Sequence, residues 1–301
     1  MVRMDQKING ICFPNPVLTA AGPNTGTLQR MLEAVKGGAG GIVTKTVSVM
    51  PAKDPRPSIS GSPLQGLYNC ETWSERPFED FLPEYLEIKE TGLPLIVSIG
   101  YSPSDMSTLG RILSRDIKPD IIEFSTHYVG KSMEPLLEVA RTLRQEVECP
   151  VWMKISPDTA DVEKLARAAG EYVDAFVAIN SLGPVLDFDI ERVSPFLGSS
   201  YGQGWMSGPP IMPVALRIVY QISRAQSKPV IGVGGIRTGT DAIKFIMAGA
   251  SMVQICTAAL RDGPSIYGKV AREMEEWMAS HGYEDIDSLR GAYQERVEKQ
   301  K

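Results

Sequence analysis

The chain has 301 residues, of which 43% are hydrophobic and 22% are charged, and its formal net charge is −5. This balance is typical of a globular protein with a large core, and it excludes an intrinsically disordered chain. A net negative charge also argues against a nucleic-acid or anionic-membrane binder, since both need clustered Lys and Arg. We therefore expect a small-molecule ligand, and neither nucleic acid nor a membrane as partner.

Cysteine spacing and the N-terminal composition further limit the class of protein to which the chain can belong. The four cysteines form no Cys-x-x-Cys pair, so neither an iron–sulfur cluster nor a zinc site is indicated, and we predict no metal. The first residues carry charges and no apolar run of signal-peptide length, and no 18-residue apolar stretch follows. These features predict a cytoplasmic protein with no membrane anchor.

Eight short apolar, β-branched runs alternate with helical patterns, which is typical of βα units around a parallel sheet. Most runs are apolar on both faces, as strands between a core and a helical layer must be. The runs cover residues 16–20, 41–46, 93–100, 121–126, 151–156, 175–181, 229–235 and 252–258. Because one such barrel takes about 250 residues plus insertions, we predict a single (β/α)₈ TIM-barrel domain over residues 1–301, with a polar tail from about residue 282.

Three intervening helices are readable from a capping residue, an apolar stripe at three- and four-residue spacing and a terminal glycine. The predicted N-caps and glycine stops are Thr27 with Gly37, Asp158 or Thr159 with Gly170, and Thr240 with Gly249. Two stretches, 47–80 after the second strand and 183–210 after the sixth, interrupt the alternation. Long βα loops of barrels usually build the active site, so we place the site there.

A glycine run follows the seventh strand. Gly232, Gly234 and Gly235 lead into the next helix, where glycines let backbone N–H groups approach an anion. With Cys256 and Thr257 after the eighth strand, this is the usual phosphate position of a barrel. The alternative is a set of tight turns without a ligand.

Two lysines, Lys45 and Lys154, lie in apolar strand runs. A buried charge is costly unless it meets an anion, so an anionic ligand is one interpretation and a lysine reaching solvent at the barrel rim is the other. Cations beside a flavin would stabilise the negative charge of its reduced form. Two lysines together favour the ligand interpretation.

Polar residues at other strand ends are candidate substrate contacts. Asn69, Asn180 and Ser181 offer hydrogen bonds to a flat heterocycle or a carbonyl, although asparagine in a loop is often a turn former. The fourth strand leads through Ser125 into His127 and Tyr128. A tyrosine with a pKa of about 10 is suited to giving a proton and a histidine near 6.5 to either role. The alternative for this aromatic pair is packing.

Together these motifs resemble the dihydroorotate dehydrogenase family over nearly the whole chain. They are TAAGP (19–23), GIVTKTVS (41–48), GLYN (66–69), VWMKIS (151–156), AINSLGP (178–184), SGPPIMPVALRIVYQI (207–222), IGVGGIRTGTDAIKFIMAGAS (231–251) and VQICTAAL (253–260). The resemblance implies a (β/α)₈ barrel that binds FMN, of the branch without membrane-binding helices.

The resemblance also implies a set of site residues. The residues implied to bind FMN are Ala20, Ala21, Gly22, Lys45, Thr46, Lys154, Asn180 and Ser181, with Gly208, Gly234, Gly235, Cys256 and Thr257 around the phosphate. Those implied to bind substrate are Lys45, Asn69, Ser125, Asn180 and Ser181.

The chain departs from the family at the substrate loop. That loop normally reads Asn-Leu-Ser-Cys-Pro-Asn, and here it reads Ser-Thr-His-Tyr-Val-Gly over residues 125–130, with Tyr128 at the position of the cysteine base. Sites that lose hydrogen-bonding partners reject the ligand those partners recognised. We therefore expect an FMN-dependent oxidoreductase, either a reductase or a reversible dehydrogenase, that acts on a C=C bond conjugated to a carbonyl, with a substrate other than dihydroorotate. Tyr128 would give the proton, with His127 as its partner or substitute.

Three alternatives remain. One is an authentic dihydroorotate or dihydropyrimidine dehydrogenase. The second is a flavin-free lyase or isomerase that binds a substrate phosphate and uses a lysine as a Schiff base. The third is a barrel retained as a partner-binding subunit. For the enzyme, we expect a homodimer that exchanges electrons with a soluble carrier, a second subunit or a second substrate.

Overall fold

The computed structural model describes residues 2–62, 64–125 and 132–300. Its largest sheet has eight parallel strands: β1 (Val17–Thr19), β2 (Ile42–Val43), β3 (Leu95–Ile99), β4 (Ile121–Ser125), β5 (Val151–Ile155), β6 (Ala175–Ala178), β7 (Val230–Val233) and β8 (Met252–Ile255). The hydrogen-bonded order is β1-β8-β7-β6-β5-β4-β3-β2, so β2 to β8 follow one another in sequence order, β1 pairs with β8, and β1 and β2 are the two end strands. This confirms the predicted (β/α)₈ barrel, and each strand lies within its predicted run.

A threonine side chain joins the two end strands of this order. Thr19 Oγ1 on β1 accepts a hydrogen bond from the backbone N–H of Val43 on β2 at 2.7 Å and donates one to the Val43 carbonyl at 2.9 Å. The Thr19 N–H also donates to the Gly41 carbonyl at 3.3 Å. The hydroxyl therefore replaces part of a backbone ladder where both strands are very short.

Helices pack around the barrel and follow the strands in alternation. They are α1 (Leu28–Lys36), α2 (Phe81–Glu90), α3 (Pro103–Ile112), α4 (Glu134–Glu146), α5 (Val162–Ala169), α6 (Met212–Ala225), α7 (Gly239–Met247), α8 (Thr257–Asp262), α9 (Ile266–Ser280), α10 (Ile286–Leu289) and α11 (Ala292–Glu298). Among the described helices, none combines the length and the apolar content that crossing a membrane would require.

The predicted start and stop of α1 are confirmed, whereas two predicted N-caps are wrong. The Thr27 side chain accepts a hydrogen bond from the Arg30 N–H. Helix α5 begins after Asp161 instead of Asp158 or Thr159, and α7 begins after Thr238 instead of Thr240. Asp161 and Thr238 each have the extended backbone and the side-chain oxygen that an N-cap needs.

Two apolar layers hold the barrel together. One fills its interior and includes Leu18, Val43, Ile96 and Trp152, while a larger one lies between the strands and the helices. An N-terminal hairpin, Gln6–Ile8 with Ile11–Phe13, packs at the end where the strands begin. That end is therefore closed, and the cleft described below lies at the other.

The two predicted insertions pair with each other. Strands Ile59–Gly61 and Leu67–Asn69 come from the first, and Leu182–Leu186 and Gln203–Ser207 come mainly from the second. The antiparallel pairing of Leu67–Asn69 with Gln203–Ser207 joins them in one four-stranded sheet. Residues after 282 are mostly exposed, although the side chains of Ile286 and Leu289 are fully buried.

Candidate active site

A cleft at the carboxyl ends of the barrel strands holds about 1080 Å³ of space that protein atoms do not fill, part of it open to solvent. Active sites of (β/α)₈ enzymes lie at this end of the barrel. The structure brings to this cleft all the described residues that the sequence assigned to cofactor or substrate: Ala20, Ala21, Gly22, Lys45, Thr46, Asn69, Ser125, Lys154, Asn180, Ser181, Gly208, Gly234, Gly235, Cys256 and Thr257.

The predicted proton donor and its partner are not among the residues that the structure describes. His127 and Tyr128 belong to residues 126–131, which are outside the described ranges. The last described residue before them, Ser125, ends β4 and lines the cleft. Their assignment as catalytic residues therefore stays a prediction from the sequence.

Glycines bring two loops into close approach at one part of the cleft. Gly208, Gly234 and Gly235 have φ values of +90°, +135° and +88°, where other residues are strained. A Cβ atom added to Gly235 would lie 2.8 Å from the Gly208 carbonyl oxygen. Nearby, the Thr257 hydroxyl donates a hydrogen bond to Ser207 Oγ at 2.8 Å. Backbone N–H groups of such glycine turns and hydroxyl groups are groups that receive an anion such as a phosphate.

Lys154 carries its charge into the barrel interior beside a carboxylate. Its Nζ lies 3.6 Å from Oε1 of Glu123, and both side chains are buried. The other oxygen, Glu123 Oε2, accepts a hydrogen bond from Gln254 Nε2 at 2.8 Å. Glu123 and Gln254 were missed by the sequence analysis, although Glu123 lies in an apolar strand run just as the two lysines do. The carboxylate offsets the cost of burying the Lys154 ammonium beside the cleft.

Lys45 has its own carboxylate partner within the cleft. Its Nζ lies 3.0 Å from Oε2 of Glu71, and the two side chains are 11% and 20% exposed. Glu71 also lines the cleft, and the sequence analysis missed it because a carboxylate in an irregular loop carries no local pattern.

Two predicted substrate-binding residues contact each other. Asn180 Nδ2 donates a hydrogen bond to Ser125 Oγ at 3.1 Å, and the Ser181 N–H donates to Asn180 Oδ1 at 2.8 Å. Asn69 is held from the other side, because its Nδ2 donates to the Trp205 carbonyl at 3.3 Å. These contacts fix the orientation of both asparagine amides at the cleft.

Cys256 lies where the loops after β1 and β8 meet. A Cβ atom added to Gly22 would lie 2.6 Å from Cys256 Sγ, so the contact requires glycine. Burial raises the pKa of the Cys256 thiol to about 11. The thiol is therefore protonated at neutral pH, and it is unsuited to act as a general base there.

The chemistry of the residues that line the cleft fits FMN. The glycine loops suit a phosphate, and the small residues Ala20, Ala21 and Gly22 leave room beside them for a flat ring. Lys45 and Lys154 supply cations for a ring that gains negative charge when it is reduced.

Comparisons with known proteins agree with this geometry. A family model described as dihydroorotate dehydrogenase matches residues 125–278. A protein of Methanothermobacter thermautotrophicus is 32% identical over 96% of this chain and 97% of its own length, and one of Pyrococcus furiosus is 33% identical over 95% and 97%. A protein of Desulforudis audaxviator is 34% identical over 95% of both chains. All three are named dihydroorotate dehydrogenase B (NAD(+)), catalytic subunit.

The similarity extends over almost the entire chain, and it includes the strands and loops that line the cleft. The resemblance inferred from the motifs is thereby confirmed. The chain belongs to the dihydroorotate dehydrogenase family, whose members are FMN-dependent oxidoreductases that act on CH–CH groups.

Proposed function

We propose that this chain reduces a C=C bond conjugated to a carbonyl and that dihydroorotate is not its substrate. One observation carries the proposal: the residues assigned to FMN converge on the cleft, whereas the loop that recognises substrate in this family has a different sequence from Ser125 onward. Ser125 lies where the family has an asparagine, and its hydroxyl accepts a hydrogen bond from Asn180. One amide donor of the site is thus engaged by the protein itself.

FMN, when bound, supplies the hydride equivalent that reduces the substrate. The glycine loops around Gly208 and Gly235 would hold its phosphate, and Lys154 would place a positive charge beside it in the cleft. The Asn69 and Asn180 amides each have a second N–H, besides the one donated to Trp205 or Ser125, and that N–H would polarise the substrate carbonyl by a hydrogen bond. Each contribution requires only residues that line the cleft.

Tyr128 completes the reduction by giving a proton. Adding a hydride to one carbon of the C=C bond leaves negative charge on the carbon next to the carbonyl, and that carbon takes a proton. A phenol with an ordinary pKa of about 10 is protonated at neutral pH and suits this role. His127 is the adjacent group that either returns a proton to Tyr128 or substitutes for it.

We further propose that the protein is a cytoplasmic homodimer that receives electrons from a second subunit or a soluble carrier. The relatives are named as catalytic subunits of an NAD(+)-type enzyme, which supports a separate electron-transfer subunit. The described residues provide no closely spaced cysteines for a cluster of their own.

A second candidate is dihydroorotate oxidation. It is supported by the names of the relatives and by the presence of Lys45, Asn69 and Asn180 at the cleft.

The test is anaerobic reoxidation of the reduced enzyme. The purified protein should contain FMN, and after reduction its absorbance should recover at least tenfold faster with cyclic enones than with orotate. Faster recovery with orotate would establish the second candidate. A protein that takes up no FMN at saturating concentration would instead indicate a phosphate-binding lyase or isomerase.

The Tyr128→Phe variant tests the proton donor within the same assay. Loss of a positioned general acid lowers rates by about 10² to 10⁴, so we expect enone-dependent reoxidation to slow by at least 10² with FMN content unchanged. Tyr201→Phe is the matched control, because Tyr201 is 89% exposed on the second insertion. Equal rates in both variants would rule out the Tyr128 role.

A further inference from the structure

The ion pair between Lys45 and Glu71 lies in the cleft itself, and the proposed function does not use its carboxylate. The Nζ and Oε2 atoms are 3.0 Å apart, which is a charge-assisted hydrogen bond. Lys45 is therefore not an unneutralised cation facing the substrate.

The chain on both sides of Glu71 is held in place. The Cys70 N–H donates to the Ser58 carbonyl at 2.8 Å. Both the N–H and the hydroxyl of Thr72 donate to Asp54 Oδ1, at 3.1 and 2.8 Å. Since the residues before and after it are anchored, Glu71 is directed towards Lys45 by the fold of the first insertion.

Charges around the described part of the cleft are paired throughout. Three cations line it, and each has a carboxylate within 3.6 Å: Lys45 with Glu71, Lys154 with Glu123, and Arg237 with Asp262. Of these carboxylates only Glu71 lines the cleft. The described walls thus present one negative side chain to a bound substrate, and it is next to Lys45.

Dihydroorotate and orotate carry a carboxylate. Such a group placed at Lys45 would either displace Glu71 or lie within a few ångströms of a like charge in a partly desolvated cleft, and both are unfavourable. An uncharged substrate meets no such repulsion, and an N–H or O–H group on it finds an acceptor in Glu71.

We propose that Glu71 is a specificity-determining residue: it excludes substrates with a carboxylate at this position and selects uncharged conjugated cyclic carbonyl compounds. The proposal rests on the proposed function and names its substrate class.

Binding to the oxidised FMN enzyme tests it, followed by the change in flavin absorbance. Two matched ligand pairs differ only by a carboxylate: cyclohex-2-enone with 3-oxocyclohex-1-ene-1-carboxylate, and uracil with orotate. We expect the wild-type protein to bind the neutral member of at least one pair at least tenfold more tightly. In Glu71→Gln that preference should fall at least tenfold.

Glu75→Gln is the matched control. Glu75 lies four residues further along the same insertion, pairs with Arg56 at the surface and does not line the cleft. It should keep the wild-type preference. A preference that Glu71→Gln leaves within twofold of wild type, or a wild-type protein that binds neither neutral ligand, overturns the proposal.

Turnover separates this proposal from the proposed function. If the binding preference depends on Glu71 but no conjugated carbonyl compound reoxidises the reduced flavin, the proposed function fails and the selectivity of the site stands. If enones reoxidise the flavin while Glu71→Gln keeps the wild-type preference, only the role of Glu71 is overturned.

Discussion

At the scale of single residues, the buried charges depend on partners from distant parts of the chain. Glu123 on β4 has no exposed surface, and it lies between the Lys154 ammonium and the Gln254 amide. The pattern of the apolar strands predicted that Lys154 needs an anion. It did not predict that the Glu123 carboxylate is such an anion or that the Gln254 amide holds this carboxylate. Gln254 is 131 residues from Glu123 and shares no local motif with it.

We predict that Glu123→Ala is strongly destabilising. Removing one partner of a buried ion pair leaves an uncompensated charge, which costs about 3 to 5 kcal/mol in free energy of unfolding. Urea denaturation measures this cost. The control is Glu163→Ala, which removes an exposed pair with Arg167 at 3.3 Å and should cost about 0.5 kcal/mol. Equal losses of unfolding free energy in the two variants would show that the buried ion pair contributes no more than the exposed one.

At the scale of elements, the turn between β7 and α7 was predicted from the sequence, whereas its contacts were not. The glycines after β7 and the helix that follows were predicted, and the structure places both. The N-cap is Thr238, whose side chain and that of Asp241 cap each other's backbone N–H. The predicted Thr240 instead lies inside the first turn of α7. Several Thr and Asp residues near a helix start compete, and only the backbone conformation decides among them.

We predict that Gly235→Ala weakens FMN binding at least tenfold while the helical circular dichroism signal is retained. The added methyl group would lie 2.8 Å from the Gly208 carbonyl and 2.9 Å from Met212 Cβ, so the loops beside the phosphate must separate. Fluorescence titration with FMN gives the affinity. Gly263→Ala is the control, because its φ of +86° matches but no atom lies within 4 Å. If Gly235→Ala binds FMN as tightly as Gly263→Ala and the wild-type protein do, the close approach at Gly235 does not shape the FMN site.

At the scale of the whole molecule, the cleft is completed by two insertions that meet across the top of the barrel. Leu67–Asn69 and Gln203–Ser207 are more than 100 residues apart in sequence and pair side by side. Their cleft-facing members include Leu67, Asn69 and Ser207. The insertions were predicted to lie at the site, whereas their pairing was not, since both are irregular in composition.

We predict that Gly204→Val opens the cleft without unfolding the barrel. A Cβ atom there would overlap Leu197 Cδ1 and the Asn69 carbonyl oxygen, which forces the paired strands apart. FMN should dissociate at least tenfold faster in stopped-flow measurements, with cooperative unfolding preserved. Gly61→Val is the control in the same sheet, because nothing lies within 4 Å of its Cβ position. Unchanged dissociation from Gly204→Val would show that the insertions do not retain the cofactor.

The sequence by itself determined the features that depend on neighbours along the chain. The period of apolar residues located eight strands, Thr27 and Gly37 bounded α1, and the glycine run located a turn with positive φ values. The motifs also indicated the family, which the comparisons confirmed.

Only the tertiary structure decided which distant groups meet. It placed Thr19 against Val43, Glu71 against Lys45, and Glu123 between Lys154 and Gln254. Periodicity and capping report on residues a few positions apart, whereas these partners are brought together by barrel closure and by the pairing of two insertions. The residues of the candidate cofactor site were therefore readable from local patterns, whereas the charge that a substrate would meet beside Lys45 depended on the fold.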